Sequence, residues 1–434
     1  MLCLPLRRIN PRIVWLQISV DRPGVRVVSQ LQALTPMNHP NPPPHTTTSP
    51  LDAELSGELA ELRQRQLLRT LRTISGCQST RMVVNGQDVL LFAGANYLDL
   101  ASDPRVTKGA REAVEEFGCA AGGSRLISGN LTLHERLEAE LASFLSTEAA
   151  LLFSTGYMAN VGIVSTLAGP KDVIVSDSLN HASTIDGYRL SGAKKRIFRH
   201  NDPEDLARTA TDLAGFRRRI LVVDGVYSMD GDVACLRDLV PIARAHDMIV
   251  VVDDAHSLGV LGATGRGTPE HDDVEVDVQI GNLGKALGSF GAYVGCSAVM
   301  RDYLINKARP FIFTCALPPA AVGAARSALQ IVKKEPERRS QLLERAAQLR
   351  AGLQASGYDT GDSATQIVPA VVGENDRVMD LCNAALERGV YAQGIRYPSV
   401  PRGTARIRFT PMATHTTDDV DEVVKVFADL NAEL

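Results

Sequence analysis

A single lysine, Lys285, lies among glycines in the stretch QIGNLGKALGSFG, residues 279–291. Glycine lets a backbone approach a ligand closely, and removal of water lowers the pKa of a lysine toward its neutral, nucleophilic form. The stretch therefore indicates a lysine that loses its proton and meets a flat, bulky molecule. The alternative, from this stretch alone, is a glycine-rich turn that carries a solvated lysine.

An acidic residue, Asp253, is predicted to lie at the end of a strand, where it can act together with such a lysine. The segment IVVVDDAHSLG indicates a buried strand that ends at Asp253, followed by His256, and open parallel sheets bind ligands at the carboxyl ends of their strands. A carboxylate there can face a cation such as the pyridinium nitrogen of pyridoxal phosphate (PLP), whose enzymes pair a lysine Schiff base with an aspartate. Lys285 follows Asp253 by 32 residues, enough for a return on the neighbouring strand. The alternative is an aspartate that only caps the next helix.

Two further stretches suit a flat, phosphorylated ring. FSTGYMAN (153–160) reads as a strand end that turns through Gly156 into a helix. A helix N-terminus of this kind offers backbone N–H groups to a phosphate. SDSLNHAS (176–183) places His181 just past another strand at the same edge of the sheet, where its imidazole can stack on a ring.

The elements that must position these residues alternate between helix-like and strand-like segments from about residue 105. Leucine spacing predicts helices over 51–75 and 133–145. The strand-like segments are short, rich in Val and Ile, and apolar on both faces, as in a parallel sheet covered by helices. They are 150–153, 173–176, 220–224 and 249–254. The alternation predicts an α/β fold.

The sequence pattern divides the chain into four parts. They are a disordered, Pro- and Thr-rich tail (1–50), an N-terminal helix with short strands (51–104), a large cofactor-binding domain (105–329) and a smaller C-terminal α/β domain (330–434). Either Met1 or Met37 is the start of translation.

Composition narrows the class of protein and its surroundings. The 434 residues carry a net charge of −4, with 44% apolar and 22% charged residues, which indicates neither nucleic acid nor an anionic membrane as a partner. No apolar run approaches the ~20 residues of a membrane helix. The seven cysteines are scattered without a CxxC pair. This argues against a disulfide framework or a metal site and favours a reducing, cytoplasmic location.

Five motifs in order resemble one enzyme family: GSRLISGN, SDSLNHAS, DGVYSMDGD, IVVVDDAHSLGVLGATGRG and GNLGKALGS. Together they are similar to the α-oxoamine synthases over about residues 55–430. The resemblance implies a fold-type I PLP-dependent transferase, with a large domain on a mostly parallel seven-stranded sheet and a smaller C-terminal α/β domain. Enzymes of this family condense a small amino acid with an acyl thioester and lose CO2, so the resemblance implies a PLP-dependent acyltransferase.

The resemblance also implies a role for each matching residue. Lys285 forms the Schiff base with PLP and is the natural base for the Cα proton, Asp253 pairs with the pyridinium nitrogen, and His181 stacks on the ring. The other implied cofactor contacts are His256 and Ser228 near the phenolic oxygen, and Gly156, Tyr157 and Asn282 at the phosphate. The implied substrate contacts are Arg396 at the amino acid carboxylate, and Ser399, Arg69 and Asn96.

The family further implies a homodimer in which Thr314 reaches the phosphate site of the partner subunit. Two departures from the family pattern bear on these roles. Cys315 stands where a hydroxyl residue is common, which leaves Thr314 as the candidate. Ala95 stands where an asparagine is expected near the amino acid carboxylate, which leaves the neighbouring Asn96.

The motifs leave the amino acid, the acyl chain and its carrier (coenzyme A or acyl carrier protein) open. The lead expectation is the family member of biotin synthesis, which joins L-alanine to a pimeloyl thioester. Stretches such as RPFIFTCALPP are similar instead to members of sphingolipid synthesis that use serine, and DSLNHASTIDG to members that use glycine. A third alternative is a catalytically inactive regulatory subunit, against which the presence of Lys285, Asp253, His181 and His256 argues.

Overall fold

The computed structural model describes residues 49–433. The described residues divide into two compact units, one up to residue 69 and one from residue 70 onward. In the first unit, helix α1 (Pro50–Gln64) is capped by Ser49, whose hydroxyl accepts the Asp52 N–H at 3.0 Å. Apart from Ser49 and Pro50, the predicted disordered tail of residues 1–50 lies outside the described residues.

Helix α1 is shorter than the predicted span of 51–75. It ends at Gln64, and Gln66 has a left-handed backbone (φ 55°) through which a right-handed helix does not continue. Leu55 and Leu59, which contribute to the predicted periodicity, are 44% and 49% exposed. The leucine spacing fits a helix, but none of the residues of α1 is buried.

Residues 70–433 hold the remaining helices and all the strands of the described chain. The helices are α2 (Pro104–Phe117), α3 (Thr132–Leu145), α4 (Gly156–Leu167), α5 (Ala182–Ser191), α6 (Pro203–Thr209), α7 (Leu236–Ala245), α8 (Thr268–Asp272), α9 (Ala298–Lys307), α10 (Arg309–Ile312), α11 (Pro319–Lys334), α12 (Glu337–Ala355), α13 (Asn375–Glu387) and α14 (Thr417–Glu433). The strands are β1 (Ile74–Ser75), β2 (Arg81–Val84), β3 (Gln87–Leu91), β4 (Ala149–Phe153), β5 (Val173–Asp177), β6 (Lys194–Phe198), β7 (Arg219–Asp224), β8 (Met248–Asp253), β9 (Val278–Asn282), β10 (Ala292–Cys296), β11 (Val368–Gly373), β12 (Val390–Tyr391), β13 (Gln393–Ile395) and β14 (Ala405–Phe409).

Seven strands form the main sheet, in the order β4-β10-β9-β8-β7-β5-β6. Strands β5 to β9 pair in parallel, and β10 is antiparallel to both of its neighbours. The four predicted segments correspond to β4, β5, β7 and β8. The predicted fold class, α/β with a mostly parallel seven-stranded sheet, is confirmed.

Strand β7 shows why the sheet is apolar on both faces. Ile220 and Val222 pack into a core that includes residues of α4, whereas Leu221 and Val223 pack into a core that includes residues of α6 and α7. Because alternate side chains of a strand point to opposite faces, helices must cover both sides of the sheet. The carboxyl ends of the parallel strands then remain as the open edge where polar side chains can gather.

A second core joins the two ends of the 70–434 unit. A three-stranded sheet (β11-β14-β13) packs with α12, α13 and α14, and Leu90 of β3 and Phe92, which directly follows β3, share this core. Strand β3 pairs in parallel with β12. The predicted boundary at residue 330 falls within α11, whose Val322 and Leu329 pack in a separate core with Leu137 and Leu141 of α3. The separation into a large and a small domain stays a prediction.

Among the described residues, no helix combines the length and apolarity that crossing a membrane requires.

Candidate active site

The parallel sheet brings the predicted residues to one edge. Asp253 is the last residue of β8, and Lys285 lies three residues beyond β9, the strand that pairs with β8. His181 is the cap residue of α5, directly after the turn that follows β5. Because parallel strands end at the same edge of a sheet, the three side chains converge.

Lys285 is held in a tight turn and points into the protein. Its backbone carbonyl accepts the Gly288 N–H at 2.9 Å, and its Nζ lies 2.8 Å from His256 Nε2. Burial of the amine lowers the pKa of Lys285 to about 8, although the negative charges of Asp253 and Asp224 oppose that effect. The site therefore makes the neutral, nucleophilic amine accessible near neutral pH.

The glycines around Lys285 have a different cause from the predicted one. Gly288 has φ 56°, and a Cβ placed there would lie 2.3 Å from the backbone nitrogen of Ala101. A Cβ at Gly281 would lie 2.1 Å from the ring of Tyr293. At these two positions the glycines let the lysine turn pack against the protein's own chain. Room for a ligand is not what requires them.

A hydrogen-bonded chain extends from Lys285 into the core. His256 Nδ1 lies 2.7 Å from the hydroxyl of Tyr97, and Arg408 Nη2 donates to that hydroxyl at 3.4 Å. Burial, together with the positive charges of Lys285 and Arg408, holds the pKa of His256 well below its usual range. His256 is therefore a neutral imidazole that can accept a proton on one nitrogen and release one from the other.

The carboxylate of Asp253 is fixed by two donors. Its Oδ2 accepts from the side-chain amide of Asn160 at 2.5 Å, and its Oδ1 accepts the Ala255 N–H at 3.1 Å. The same Asn160 amide nitrogen lies 2.9 Å from Ser183 Oγ, which in turn lies 2.6 Å from His181 Nδ1. Asp253 and His181 are thus connected through two buried side chains.

A second carboxylate, Asp224, is paired with Asp253 in the register of β7 and β8. It accepts the backbone N–H of His181, at 3.1 Å to Oδ2. Burial and the negative charge of Asp253 raise the pKa of Asp224 well above its usual range. Asp224 therefore holds the backbone of His181 in place.

Helix α4 presents its N-terminus to this edge. It begins at Gly156, and the hydroxyl of Thr155 accepts the Met158 N–H at 3.1 Å. A Cβ at Gly156 would lie 2.9 Å from Asn282 Nδ2, closer than real Cβ atoms come. The Asn282 amide and the first N–H groups of α4 therefore share a small space that suits a phosphate.

The remaining predicted cofactor contacts lie near the other residues of the site or at the protein surface. The loop with Ser228 is fixed because the Ser228 carbonyl accepts from Arg408 Nε at 2.5 Å. The Tyr157 hydroxyl donates to Asp186 at 2.5 Å, and Tyr157 is 49% exposed. Thr314 lies in a surface pocket that Ser154 and Cys315 also line. The cofactor roles of these residues stay predictions.

Two of the predicted substrate contacts, Asn96 and Arg396, already have partners within the protein. Asn96 is buried and its amide is already used, because Oδ1 accepts the N–H groups of Leu100 and Ala101 and Nδ2 donates to Asp99. Arg396 Nη1 lies 3.1 Å from the sulfur of Met379 on α13.

The two remaining predicted substrate contacts differ in their placement. The Ser399 N–H donates to the Arg396 carbonyl at 2.9 Å. Arg69 is an exposed residue of the first unit. The substrate roles of Arg69, Asn96, Arg396 and Ser399 all stay predictions.

Four residues of the site were not found from the sequence: Tyr97, Asn160, Asp224 and Arg408. Arg408 is on β14, where its guanidinium lies between Ser228 and Tyr97. The sequence carried a signal for it, since ARIRF alternates arginines with the buried Ile407. Arginines on one face of a core strand need anionic or polar partners.

Comparisons with related proteins identify the family of the chain. Residues 87–427 match the family model for aminotransferase class I and II. The 8-amino-7-oxononanoate synthase of Geobacter sulfurreducens is 48% identical over 384 residues, which cover 88% of this chain and 98% of the relative. That of Exiguobacterium sibiricum is 43% identical over 382 residues, 88% and 98% of the two chains.

Solved structures extend this likeness to the fold. Serine palmitoyltransferase from S. paucimobilis, with a bound PLP–myriocin aldimine, superposes with a TM-score of 0.83 at 33% identity, covering 88% of this chain and 97% of that one. The 8-amino-7-oxononanoate synthase of Francisella tularensis has a TM-score of 0.69 at 27% identity, covering 80% and 98%.

These findings define the class of the protein. The chain belongs to the aminotransferase class I and II family, within its α-oxoamine synthases. It is a PLP-dependent acyltransferase of fold type I, so the predicted family, fold, cofactor and enzyme class are confirmed. The curated relatives at 43–48% identity are 8-amino-7-oxononanoate synthases.

Proposed function

We propose that the protein joins L-alanine to a pimeloyl thioester, with loss of CO2, to form 8-amino-7-oxononanoate for biotin synthesis. The carbon count fits this product. A seven-carbon dicarboxylic acyl group plus the Cα and Cβ of alanine gives nine carbons, with the ketone on the former thioester carbon. The similarity that supports this choice is 48% identity over 98% of the Geobacter sulfurreducens 8-amino-7-oxononanoate synthase.

The residues at the edge of the sheet fit PLP at three points. The buried amine of Lys285 can hold the cofactor covalently, and the Asp253 carboxylate can face the pyridinium nitrogen. The N-terminus of α4, with Gly156 and Asn282, can take the phosphate. When bound, PLP supplies an electron sink for the electrons released as bonds at the amino acid Cα break.

The contact between Lys285 and His256 is the observation that carries the mechanism. At 2.8 Å, Lys285 Nζ can exchange a proton with His256 Nε2, whose other nitrogen is hydrogen-bonded to Tyr97. Since the pKa of Lys285 is lowered to about 8, its amine can take up the Cα proton and later release it. His256 and Tyr97 hold the amine in position.

Two arginines can anchor the carboxylate of the amino acid. Arg396 is the predicted anchor, but its guanidinium is turned toward Met379. The guanidinium of Arg408 lies within the hydrogen-bonded chain of the site, next to Tyr97 and Ser228. The geometry favours Arg408 as the anchor, because a charge-assisted pair there orients the substrate directly beside Lys285.

A long-chain serine acyltransferase is the second candidate. It is favoured by structural likeness, since serine palmitoyltransferases superpose with TM-scores of 0.83 and 0.84. Their identity to this chain is lower, 33–34%, than that of the 8-amino-7-oxononanoate synthases in the sequence comparison. A glycine acyltransferase remains a further alternative for the same residues.

We also propose a homodimer in the cytoplasm. Two large apolar side chains near the site are exposed: Phe290, five residues after Lys285, and Phe313, next to Thr314, at 54% and 70%. Burial of such side chains against a second copy would remove apolar surface from water and bring Thr314 toward the partner's phosphate site. Sedimentation of the PLP-loaded protein as a monomer at micromolar concentration would exclude this arrangement.

A matrix of substrates tests the proposed reaction. L-Alanine, L-serine and glycine are each paired with acetyl, pimeloyl and palmitoyl thioesters, on coenzyme A and on acyl carrier protein, and kcat/KM is measured for each pair. We expect alanine with a pimeloyl thioester to give the highest value. A maximum for serine with the palmitoyl thioester would overturn the proposal in favour of the second candidate.

A further inference from the structure

Asn160 is a polar residue in an otherwise apolar buried helix face. It is 3% exposed, and its buried neighbours on α4 are Ala159, Val161, Ile163 and Val164. A buried amide is unfavourable unless its hydrogen bonds are made. Its side-chain nitrogen makes two, to Asp253 Oδ2 at 2.5 Å and to Ser183 Oγ at 2.9 Å, whereas its Oδ1 has no hydrogen-bond partner among the described residues. The NH2 group faces these atoms, because its two N–H groups donate and both oxygens can accept.

Ser183 links the side-chain amide of Asn160 to the imidazole of His181. Ser183 is fully buried in the first turn of α5, and its backbone N–H donates to His181 Nδ1 at 3.3 Å. Nδ1 is therefore an acceptor and carries no proton. Ser183 Oγ, which already accepts from Asn160, lies 2.6 Å from the same Nδ1, so its single proton points to the imidazole.

We propose that Asn160 and Ser183 are positioning residues that join the Asp253 carboxylate to the His181 imidazole and keep the His181 proton on Nε2. All donors in this bridge point away from Asn160: one N–H to Asp253, one N–H to Ser183, and the Ser183 O–H to His181. The inference rests on the proposed PLP site, since Asp253 faces the pyridinium nitrogen there and His181 stacks on the ring. The bridge sets the relative position of the two groups that hold the ring.

This arrangement has a chemical consequence for His181. Burial lowers the pKa of His181 against the opposing negative charge of Asp253, and the positive charge of Lys285 acts in the same direction as burial. The ring is therefore neutral, with a lone pair on Nδ1 that the bridge occupies and one N–H on Nε2. A neutral ring can stack on the cofactor, while the Nε2–H remains as the donor for a bound substrate.

Two variants and a matched control test the bridge. Ser183→Ala removes the hydroxyl, and Asn160→Ser keeps one donor but is too short to reach both partners. Thr184→Val is the control, because Thr184 is the next residue of α5, is fully buried, and has a hydroxyl without a hydrogen-bond partner. All four proteins are loaded with PLP, and their melting midpoints establish that they are folded.

The first readout is the tautomer of His181, taken from the 15N spectrum of labelled histidines and assigned by the signal lost in His181→Gln. We expect the Nε2–H pattern in the parent protein and in Thr184→Val. In Ser183→Ala we expect a mixture of tautomers, because the 2.6 Å hydroxyl contact is lost and only the longer backbone N–H contact of 3.3 Å still favours an unprotonated Nδ1. The second readout is the dissociation constant of PLP, expected to rise roughly ten-fold in Asn160→Ser, at the low end for a lost hydrogen bond to a charged group.

The inference is overturned if Ser183→Ala keeps the parent's tautomer, or if Asn160→Ser binds PLP as tightly as Thr184→Val does. Neither readout uses an amino acid or a thioester. An error in the proposed substrates would therefore leave both results unchanged, whereas failure of PLP to bind the parent protein would indicate an error in the proposed site itself.

Discussion

The lowered pKa of Lys285 makes a quantitative prediction for the pH dependence of cofactor attachment. With a pKa of about 8, compared with an ordinary value near 10.5, about one amine in ten is neutral at pH 7 instead of about one in three thousand. A pKa unit corresponds to about 1.4 kcal/mol, so burial favours the neutral amine by roughly 3 kcal/mol. Attachment of PLP to the cofactor-free protein should follow this neutral fraction.

The assay compares Lys285 with a solvated lysine. Cofactor-free protein and N-α-acetyl-lysine are mixed with the same PLP solution between pH 7 and pH 9.5, reduced with borohydride, and analysed by mass spectrometry. Dividing one rate by the other removes the ionisation of PLP itself. Because the two amines titrate about 2.5 pH units apart, the ratio of rates should fall roughly thirty-fold across this range.

Two results would refute this reasoning. A ratio of rates that is constant with pH would mean that Lys285 titrates like an ordinary lysine and that burial does not lower the pKa of its amine. Fixation of PLP on another lysine peptide, with none lost in Lys285→Ala, would mean that the covalent site has been misassigned.

Three further changes test other parts of the account. Arg408→Ala should raise the amino acid KM roughly ten- to a hundred-fold, because a lost charged hydrogen bond costs about 1.5–3 kcal/mol. Arg396→Ala should raise this KM less. The reverse order of the two effects would restore Arg396 as the carboxylate anchor. Gly156→Ala should weaken PLP binding roughly ten-fold because its Cβ would lie 2.9 Å from the Asn282 amide, whereas Gly57→Ala, with open space around it, should leave the dissociation constant unchanged. His200, hydrogen-bonded to Asp177 and Asp232 at 3.0 and 2.9 Å, has a pKa raised to about 10 by these carboxylates against the effect of burial. A raised folded-state pKa stabilises the fold below the unfolded-state pKa, and this stabilisation is lost as pH rises through about 10. His200→Gln should therefore lower the free energy of unfolding by roughly 3 kcal/mol at pH 6 and by much less above pH 10. Equal losses at both pH values would exclude the ion pairs as the cause.

The predicted residues that the structure brings together share a local sequence signal. Asp253, His181 and Lys285 each follow a short apolar strand, and the rule that parallel strands end at one edge is enough to bring them together. The dipeptide Asn85–Gly86 also indicates a tight hairpin turn from sequence alone, and both residues have the positive φ that such a turn requires, 50° and 85°.

The residues that were missed act through contacts between distant segments. Tyr97 meets His256 across 159 positions, and Asn160 meets Asp253 across 93. Nothing in the type or spacing of a single tyrosine or asparagine indicates such a partner, because its environment forms only when the chain folds. The glycines near Lys285 show the same limit, since Gly288 is required by the backbone of Ala101, almost two hundred positions earlier.

Release of labelled CO2 tests the central claim most directly. The PLP-loaded protein is supplied with pimeloyl-CoA and L-alanine carrying 13C in its carboxyl group, and both gas and product are analysed by mass spectrometry. We predict one equivalent of 13CO2 for each equivalent of unlabelled 8-amino-7-oxononanoate, and neither product from Lys285→Ala. Retention of the label in the condensation product, or turnover by Lys285→Ala at the parent's rate, would contradict a decarboxylative condensation that depends on Lys285.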